Sequence, residues 1–461
     1  MSATHVPHRR LVGIAGLVLG AVAGVIAVLD AGGAAADRSS VVDAAPVLEV
    51  THLPPLLTAR GERVDLRYDV YCAPADDDQD DCEPSGTVFL RAGQAGTFDA
   101  LPLRVDPSAA VGRYVATVPS DISSSPSGFS YYAVFLGSSG SEEIRLPAGG
   151  GDAPQRSLPL GRVTEVTLGS HVFGLTRAPD AVVARASWGD HAGEVGLEQG
   201  RAPAAIGATS FDVDSHGTVA VLDEAHKRIL RWRRGDDISS QLPLEINGTL
   251  ADLAVGDDGR FYVLDSATAS RPARLHAFGL DGSSLGSVAS AERAAQVRIG
   301  PDGPVVLQQP SGQWMEAMDR GAFLAPAAQR ASGRPGRPLP SGGQLVVLRR
   351  GVEIRAGLVS GDRVTRSWRV TSPTPLAEIQ LAERLGAGLV LVARVYSSDR
   401  DEFVVLVLGP TGLTRSFSVP SSDWAETAPL SRFRLVGSSL YQLTSTPLRI
   451  AVDRFDLEVK P

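Results

Sequence analysis

From about residue 47 onward the chain is written in short runs that alternate apolar and polar positions. In "RVDLRYDVY" the residues Val64, Leu66, Tyr68 and Val70 fall on one face, and Asp65, Arg67 and Asp69 on the other. That period of two predicts strands with one buried face. Seven such segments occupy 45–147: "LEVTHL", "RVDLRYDVYC", "GTVFLRAG", "FDALPLRV", "GRYVATVPS", "FSYYAVFLG" and "EEIRLP". Turns such as "PSAAVG" and "SSSPSG" separate them, so the first folded unit is expected to be a small β-sandwich. The Gly- and Pro-rich stretch "AGGGDAPQRSLPLG" then reads as a linker over 148–162.

Beyond the linker a longer period takes over. "FDVDSHGTVAVLD", "LAVGDDGRFYVLD" and "VRIGPDGPVVLQQ" share one template: an apolar strand, a polar turn ending in Gly, and a second apolar strand. Weaker copies are "PLPSGGQLVVLRR", "QLAERLGAGLVLVAR" and "FRLVGSSLYQLTS". Their turn glycines are Gly217, Gly259, Gly303, Gly343, Gly388 and Gly437, spaced by 42, 44, 40, 45 and 49 residues. Six copies at this period predict a six-bladed β-propeller over 163–461, and an all-β chain as a whole. The last copy holds only about three strands, while "VTEVTL" at 163 and "AVVARASWG" at 181 have no blade of their own. This N-terminal piece is expected to complete the final blade and close the ring by strand pairing. Truncation at either end should then unfold the domain.

The segment from Trp188 to Trp232 resembles an NHL-type repeat. It carries the small-residue lead-in "GRAPAAIGATSFDVDSHG" and the strand-turn-strand "VAVLDEAHKRILRW". Its charged turn has Asp223, His226 and Arg228 where many repeats have Asp-x-x-Asn-x-Arg, so the usual Asn is missing. The resemblance is good over 210–282 and loose elsewhere. It implies a six-bladed fold shared by extracellular lactonases and by non-catalytic binding platforms, and so a fold more firmly than an activity. The first unit is similar to immunoglobulin and fibronectin type III modules in strand number and spacing alone. Such modules space or bind.

Composition changes the picture at the N-terminus. Arg9 and Arg10 precede an uncharged run from Leu11 to Leu29, and then come Ala34, Ala35 and Ala36. This is the layout of a secretory signal peptide over 1–36 with cleavage after Ala36. The run is also long enough for an uncleaved membrane anchor, which competes. No cysteine lies near the cleavage region, which excludes a lipoprotein, and no other segment is apolar enough to cross a membrane. The chain is expected outside the cytoplasm. Its net charge of −8 supplies no basic field for nucleic acid. The two cysteines, Cys72 and Cys82, are expected to pair in an exported chain. They bracket "APADDDQDD", which offers hard oxygen ligands for calcium but lacks the Gly and Glu of a calcium loop, so a solvated hairpin tip ranks first.

Candidate chemistry is sparse. The stretch "SFDVDSHGTVAVLDEAHKRILRW" gathers Asp212, Asp214, His216, Asp223, Glu224 and His226. Alternation divides them between the two ends of one blade, so they read as structural. The eight histidines have no metal-ligand spacing, and a lactonase-type metal site is doubtful with Asn247 as the single asparagine. "GSSLG" at 282–286 fits Gly-x-Ser-x-Gly but follows a strand into a hairpin, whereas a nucleophile elbow leads into a helix. No catalytic, metal or cofactor residues are assigned, and the cofactor is unknown. The first reading is an exported, non-catalytic binding or scaffolding protein of the cell envelope, with a protein or an envelope glycan as partner. The competing reading is an extracytoplasmic lactonase-like hydrolase or lyase with its site at the channel mouth.

Overall fold

The computed structural model describes residues 47–458 apart from 74–83, 110–111, 138–142, 199–204, 234, 236–239, 269–270, 291–292, 310–313, 320, 330–335, 422–423 and 427–430. All seven alternating segments of the N-terminal part are strands: Val47–His52, Asp65–Ala73, Ser85–Ala92, Asp99–Pro102 with Arg104–Val105, Arg113–Thr117, Phe129–Leu136 and Glu143–Leu146. One sheet runs in the order Val47–His52, Asp65–Ala73, Arg113–Thr117, Arg104–Val105. The other is built around Phe129–Leu136, which pairs with Ser85–Ala92 and Glu143–Leu146. Leu66, Tyr68 and Val70 from the first sheet and Val88, Tyr131 and Phe135 from the second belong to one buried cluster. Fully burying a side chain such as Phe135 contributes roughly 2 kcal/mol.

The expected linker is only partly one. Gln155–Pro159 is a strand, antiparallel to Phe129–Leu136 and parallel to Leu57–Thr58. Gln155, Arg156 and Ser157 are polar yet buried, so this strand carries no apolar alternation to reveal it. Backbone pairing holds it, together with the buried Leu158.

The remaining strands form sheets of the kind found in propeller blades. The first contains Ser210–Val213, Val219–Asp223, Arg228–Trp232 and Ser240–Pro243; the second, Leu250–Val255, Phe261–Asp265, Arg274–Phe278 and Ser284–Ala289. The third has Arg293–Gly300, Gly303–Gln309 and Trp314–Glu316. The fourth runs through Arg337–Pro338, Gln344–Arg350, Glu353–Ser360 and Arg363–Thr371. The fifth comprises Leu376–Leu385, Gly388–Tyr396, Asp401–Gly409 and Gly412–Pro420. The sixth comprises Phe433–Val436, Ser439–Ser445, Arg449–Asp456 and Ala181–Ser187. The predicted turn glycines lie at or beside the hairpins joining the first two strands. Gly217 has φ +83°, which a side chain resists, and a Cβ on Gly388 would stand 2.0 Å from the Leu408 carbonyl oxygen.

The two N-terminal strands go to different places. Ala181–Ser187 does complete the sixth sheet, antiparallel to Arg449–Asp456. Val163–Thr167 does not; it lies parallel to Arg363–Thr371 as a fifth strand of the fourth sheet, where Val166 packs with Trp368 and Glu165 pairs with Arg369 at 2.8 Å.

In the inner part of a sheet both faces are buried, as the uniformly buried "VAVLD" of Val219–Asp223 illustrates. Val219 and Val221 pack toward the sixth sheet, and Ala220 and Leu222 toward the second. Similar cores join the second sheet to the third, the fourth to the fifth and the fifth to the sixth. Among the described residues no such core joins the third to the fourth. There the N-terminal part comes in: Leu57 and Leu158 pack on Val346 and Val359 of the fourth sheet.

Candidate functional site

The first strands of the sheets bring their polar positions together. In Ser210–Val213 the apolar Phe211 and Val213 enter the core shared with the sixth sheet, while Ser210 and Asp212 alternate to the opposite side. Asp252 of the second sheet is fully buried at the centre of the group. Its carboxylate accepts from the hydroxyls of Ser210 and Ser431, each at 2.7 Å, and from the Val297 N–H at 3.0 Å. It pairs with Arg298 of the third sheet at 2.7 Å and Arg434 of the sixth at 3.2 Å. Arg434 also reaches Asp212 at 3.4 Å, and Asp212 accepts from the N–H groups of Val213 and Val255 at 2.9 and 2.8 Å.

Burial pushes the Asp252 carboxyl up, but Arg298, Arg434 and the two serine hydroxyls outweigh it and hold Asp252 below the usual carboxylate range. At Asp212 burial wins over Arg434 and the backbone donors, and its carboxyl is raised. Next to this group, Arg337 of the fourth sheet pairs with Glu383 of the fifth at 2.5 Å. The cluster therefore sets three guanidinium groups against three carboxylates. It contains no histidine, and each carboxylate pairs with an arginine. Among the described residues no group of three or more His, Cys, Asp or Glu side chains could hold a metal ion.

A cleft of about 320 Å³ opens beside the cluster, where the third and fourth sheets lack a common core. Gln296, Arg298, Arg337, Gln380 and Glu383 give it a polar side, and Trp314, Leu345, Val347 and Ile379 an apolar one. Leu53, Pro54 and Leu56 of the N-terminal part complete the rim.

The six residues singled out around 210–232 separate as alternation predicts, in three groups. Asp212 joins the polar cluster. Asp214 shapes the hairpin by accepting from the N–H groups of His216 and Thr218 at 2.9 and 2.7 Å, and His216 is exposed. At the other end Asp223 is buried and holds Arg228 and His226, each at 2.8 Å, and the Gly196 N–H at 3.1 Å. Asp265 of the second sheet does the equivalent work with Arg271, through contacts of 2.6 and 3.0 Å. The aspartate ending the second strand is thus a repeated latch for the neighbouring loop. Glu224 pairs with Lys227 and accepts from the Leu250 N–H at 2.7 Å.

Ser284 of "GSSLG" begins a strand. Asn247 lies outside the named strands, between Ser240–Pro243 and Leu250–Val255. Cys72 is in Asp65–Ala73 and packs against the N-terminal core. Cys82, the acidic loop before it and the cleavage position after Ala36 lie outside the described residues. No helix among the described residues is long and apolar enough to cross a membrane.

Single-residue inspection of the sequence overlooks the polar cluster. The signal was a column through the repeats: seven positions before the turn glycines 217, 259 and 303 stand Ser210, Asp252 and Gln296, and five before stand Asp212, Ala254 and Arg298. Polar side chains at a repeated position of strands buried on both faces have to meet one another.

No protein-family model and no curated protein matches the chain. Solved structures with a distant likeness include virginiamycin B lyase from Staphylococcus aureus, at 10% identity over 54% of this chain and 95% of that one, with a TM-score of 0.34. A functionally unknown protein from Desulfotomaculum acetoxidans is 13% identical over 53% of this chain and 82% of its own, with a TM-score of 0.36. A β-propeller domain from Myceliophteria thermophila is 10% identical over 55% of this chain and 98% of its own, with a TM-score of 0.32. Likeness at this level carries no functional argument, and the blade-like character of the sheets rests on their own strand order.

Proposed function

We propose that this chain is an exported, non-catalytic binding or scaffolding protein of the cell envelope. In this reading the six sheets form an NHL-like propeller closed by the pairing of Ala181–Ser187 with Arg449–Asp456. The two N-terminal sheets form an immunoglobulin-like module fixed to its fourth blade. The observation that carries the non-catalytic part is the compensated cluster of Asp212, Asp252 and Glu383 with Arg298, Arg337 and Arg434. A hydrolase of this architecture needs carboxylates or histidines free to act where the first strands converge, and here arginines occupy them.

The test is a turnover assay of the purified chain on a panel of lactones and esters, with and without added calcium and zinc, run beside a binding assay on isolated envelope material. Saturable binding without turnover is the expected result. Turnover that Asp212→Asn abolishes would overturn the reading, because Asp212 is the carboxyl of the cluster that burial raises. N-terminal sequencing of the exported chain tests the address and should begin at Asp37.

A further inference from the structure

The cleft between the third and fourth sheets has the features of a small-molecule site that nothing in the cluster consumes. Arg337 is only 9% exposed. One nitrogen of its guanidinium, Nη2, meets Glu383 at 2.5 Å and the Ala382 carbonyl at 3.4 Å. Its other edge, Nε and Nη1, makes no hydrogen bond to a described residue, and Arg337 lines the cleft. Trp314 lines the same space half-buried, and its indole N–H likewise has no partner there. On the acceptor side, Glu383 holds Arg337 through Oε2, and the amide oxygen of Gln380 is buried without a hydrogen-bond partner. Leu345, Val347, Ile379 and Leu53 make the remaining wall apolar.

Two donor side chains, two acceptor side chains and an aliphatic wall within about 320 Å³ describe the lower end of the size range of small-ligand sites. The charges decide the kind of ligand. Arg298, Arg337 and Arg434 are matched by Asp212, Asp252 and Glu383, so an ionic ligand would introduce an uncompensated charge into a partly desolvated space. A neutral amide supplies a carbonyl for the donors and an N–H for Glu383 without that penalty. The geometry points to this cleft as a binding site for a neutral acyl amide or short blocked peptide with a branched aliphatic side chain, its carbonyl on Arg337 and Trp314. This deepens the binding reading above and rests on it.

The probes are N-acetyl-leucine N-methylamide, N-acetyl-leucine with its free carboxylate, and 4-methylpentan-1-ol, each titrated calorimetrically into the full chain. The amide is expected to bind, and the acid and the alcohol at least tenfold more weakly. Trp314→Phe, which keeps an aromatic ring, though a smaller one, and removes the N–H, should weaken the amide several-fold. Arg337→Met combined with Glu383→Gln, which keeps the site neutral, should weaken it at least tenfold with an unchanged circular dichroism spectrum. Equal binding of the alcohol, indifference of the amide to both variants, or no amide binding at millimolar concentration would overturn the assignment. Each mixture is also checked for amide consumption. Consumption of a bound amide defeats the non-catalytic reading while keeping the ligand class, whereas an intact amide that does not bind defeats only the ligand class.

Discussion

Two histidines respond to pH in opposite directions, because burial governs one and carboxylate partners the other. His52 places Nδ1 2.7 Å from the Arg67 carbonyl, which can only accept, and Nε2 2.7 Å from the Tyr131 hydroxyl. The ring is therefore the neutral Nδ1–H tautomer, accepting from Tyr131 while stacked on Tyr68 at 4.3 Å. Burial lowers its pKa to about 4, against a small opposing effect of the Arg67 carbonyl. Since the unfolded ring takes up its proton near pH 6.5, the stabilisation is complete above that value and is lost as pH falls toward about 4. The loss is on the order of 2 to 3 kcal/mol, somewhat below the full shift because the ring edge is not completely covered. His52→Gln should flatten that part of the stability profile in urea titrations between pH 4 and 7. At His226 burial would lower the pKa, but Asp223 and Asp190 outweigh it and raise it. Its contribution is present below pH 6.5 and disappears as pH rises through the raised value, the opposite slope. In the polar cluster, Asp252→Ala leaves Arg298 and Arg434 facing each other without their shared anion. A cost of about 3 to 5 kcal/mol is expected in urea unfolding, the range for breaking a buried pair. A change below 1 kcal/mol would show that water or rearrangement compensates the two arginines.

Among the elements, the two N-terminal strands carry different weight. Ala184 and Ala186 of Ala181–Ser187 lie in the core between the sixth and first sheets, with Phe211, Trp232 and Ile450. A carboxylate there has no partner, so Ala186→Asp should destabilise by about 3 kcal/mol or more. Val163–Thr167 is an added outer strand, and Val166→Ala should cost about 1 to 2 kcal/mol through loss of its contacts near Trp368. Equal effects of the two changes on the thermal midpoint would contradict the closing role of the first strand. This contrast marks the limit of what the sequence discloses. Alternation in "AVVARAS" and "VTEVT" identifies both as strands, but a period of two states which face is buried and says nothing of which edge is met. The hairpin glycines were legible because Gly217 needs positive φ, a local demand, and Gly388 a close approach to the Leu408 carbonyl on the next strand. Gln155–Pro159 was not, since three of its four buried side chains are polar. The cluster of Asp252 with Arg298 and Arg434 spans up to 182 residues of chain; Asp252 and Arg298 fall in the two polar columns of the first three repeats, whereas Arg434, three positions before Gly437, falls in neither.

At the scale of the molecule, the N-terminal sheets and the fourth sheet are joined by charge as well as by Leu57, Leu158, Val346 and Val359. Arg355, only 5% exposed, grips Glu62 through both carboxylate oxygens at 2.6 and 3.0 Å and donates to the Leu57 carbonyl at 3.1 Å. Glu353 pairs with the same arginine, Arg350 adds a second partner to Glu62, and Arg156 meets Asp362 at 3.1 Å nearby. Planar two-point pairing of this kind fixes orientation as well as distance. Burial pushes the Glu62 carboxyl up, yet the Arg355 hydrogen bond, the Ala59 N–H and the charges of Arg355 and Arg350 outweigh it, and its pKa is lowered. A carboxylate with a depressed folded pKa stabilises fully above its unfolded value near 4.5 and loses that contribution as pH falls through the lower folded one. The two parts should therefore unfold as one unit at neutral pH and begin to separate in acid. Glu62→Ala imitates the acid state at pH 7 and leaves Arg355 with Glu353 alone, at a cost of about 2 to 3 kcal/mol after allowance for partial exposure. In scanning calorimetry the native chain should show one transition at pH 7, while Glu62→Ala should show two, the first shifted down by several degrees. Cleavage by a nonspecific protease should then appear within 148–162, where the strand Gln155–Pro159 loses the cover of Val346 and Val359 once the clamp opens. A single transition in the variant, with 148–162 still protected, would mean that the four apolar side chains hold the parts together without the ion pair.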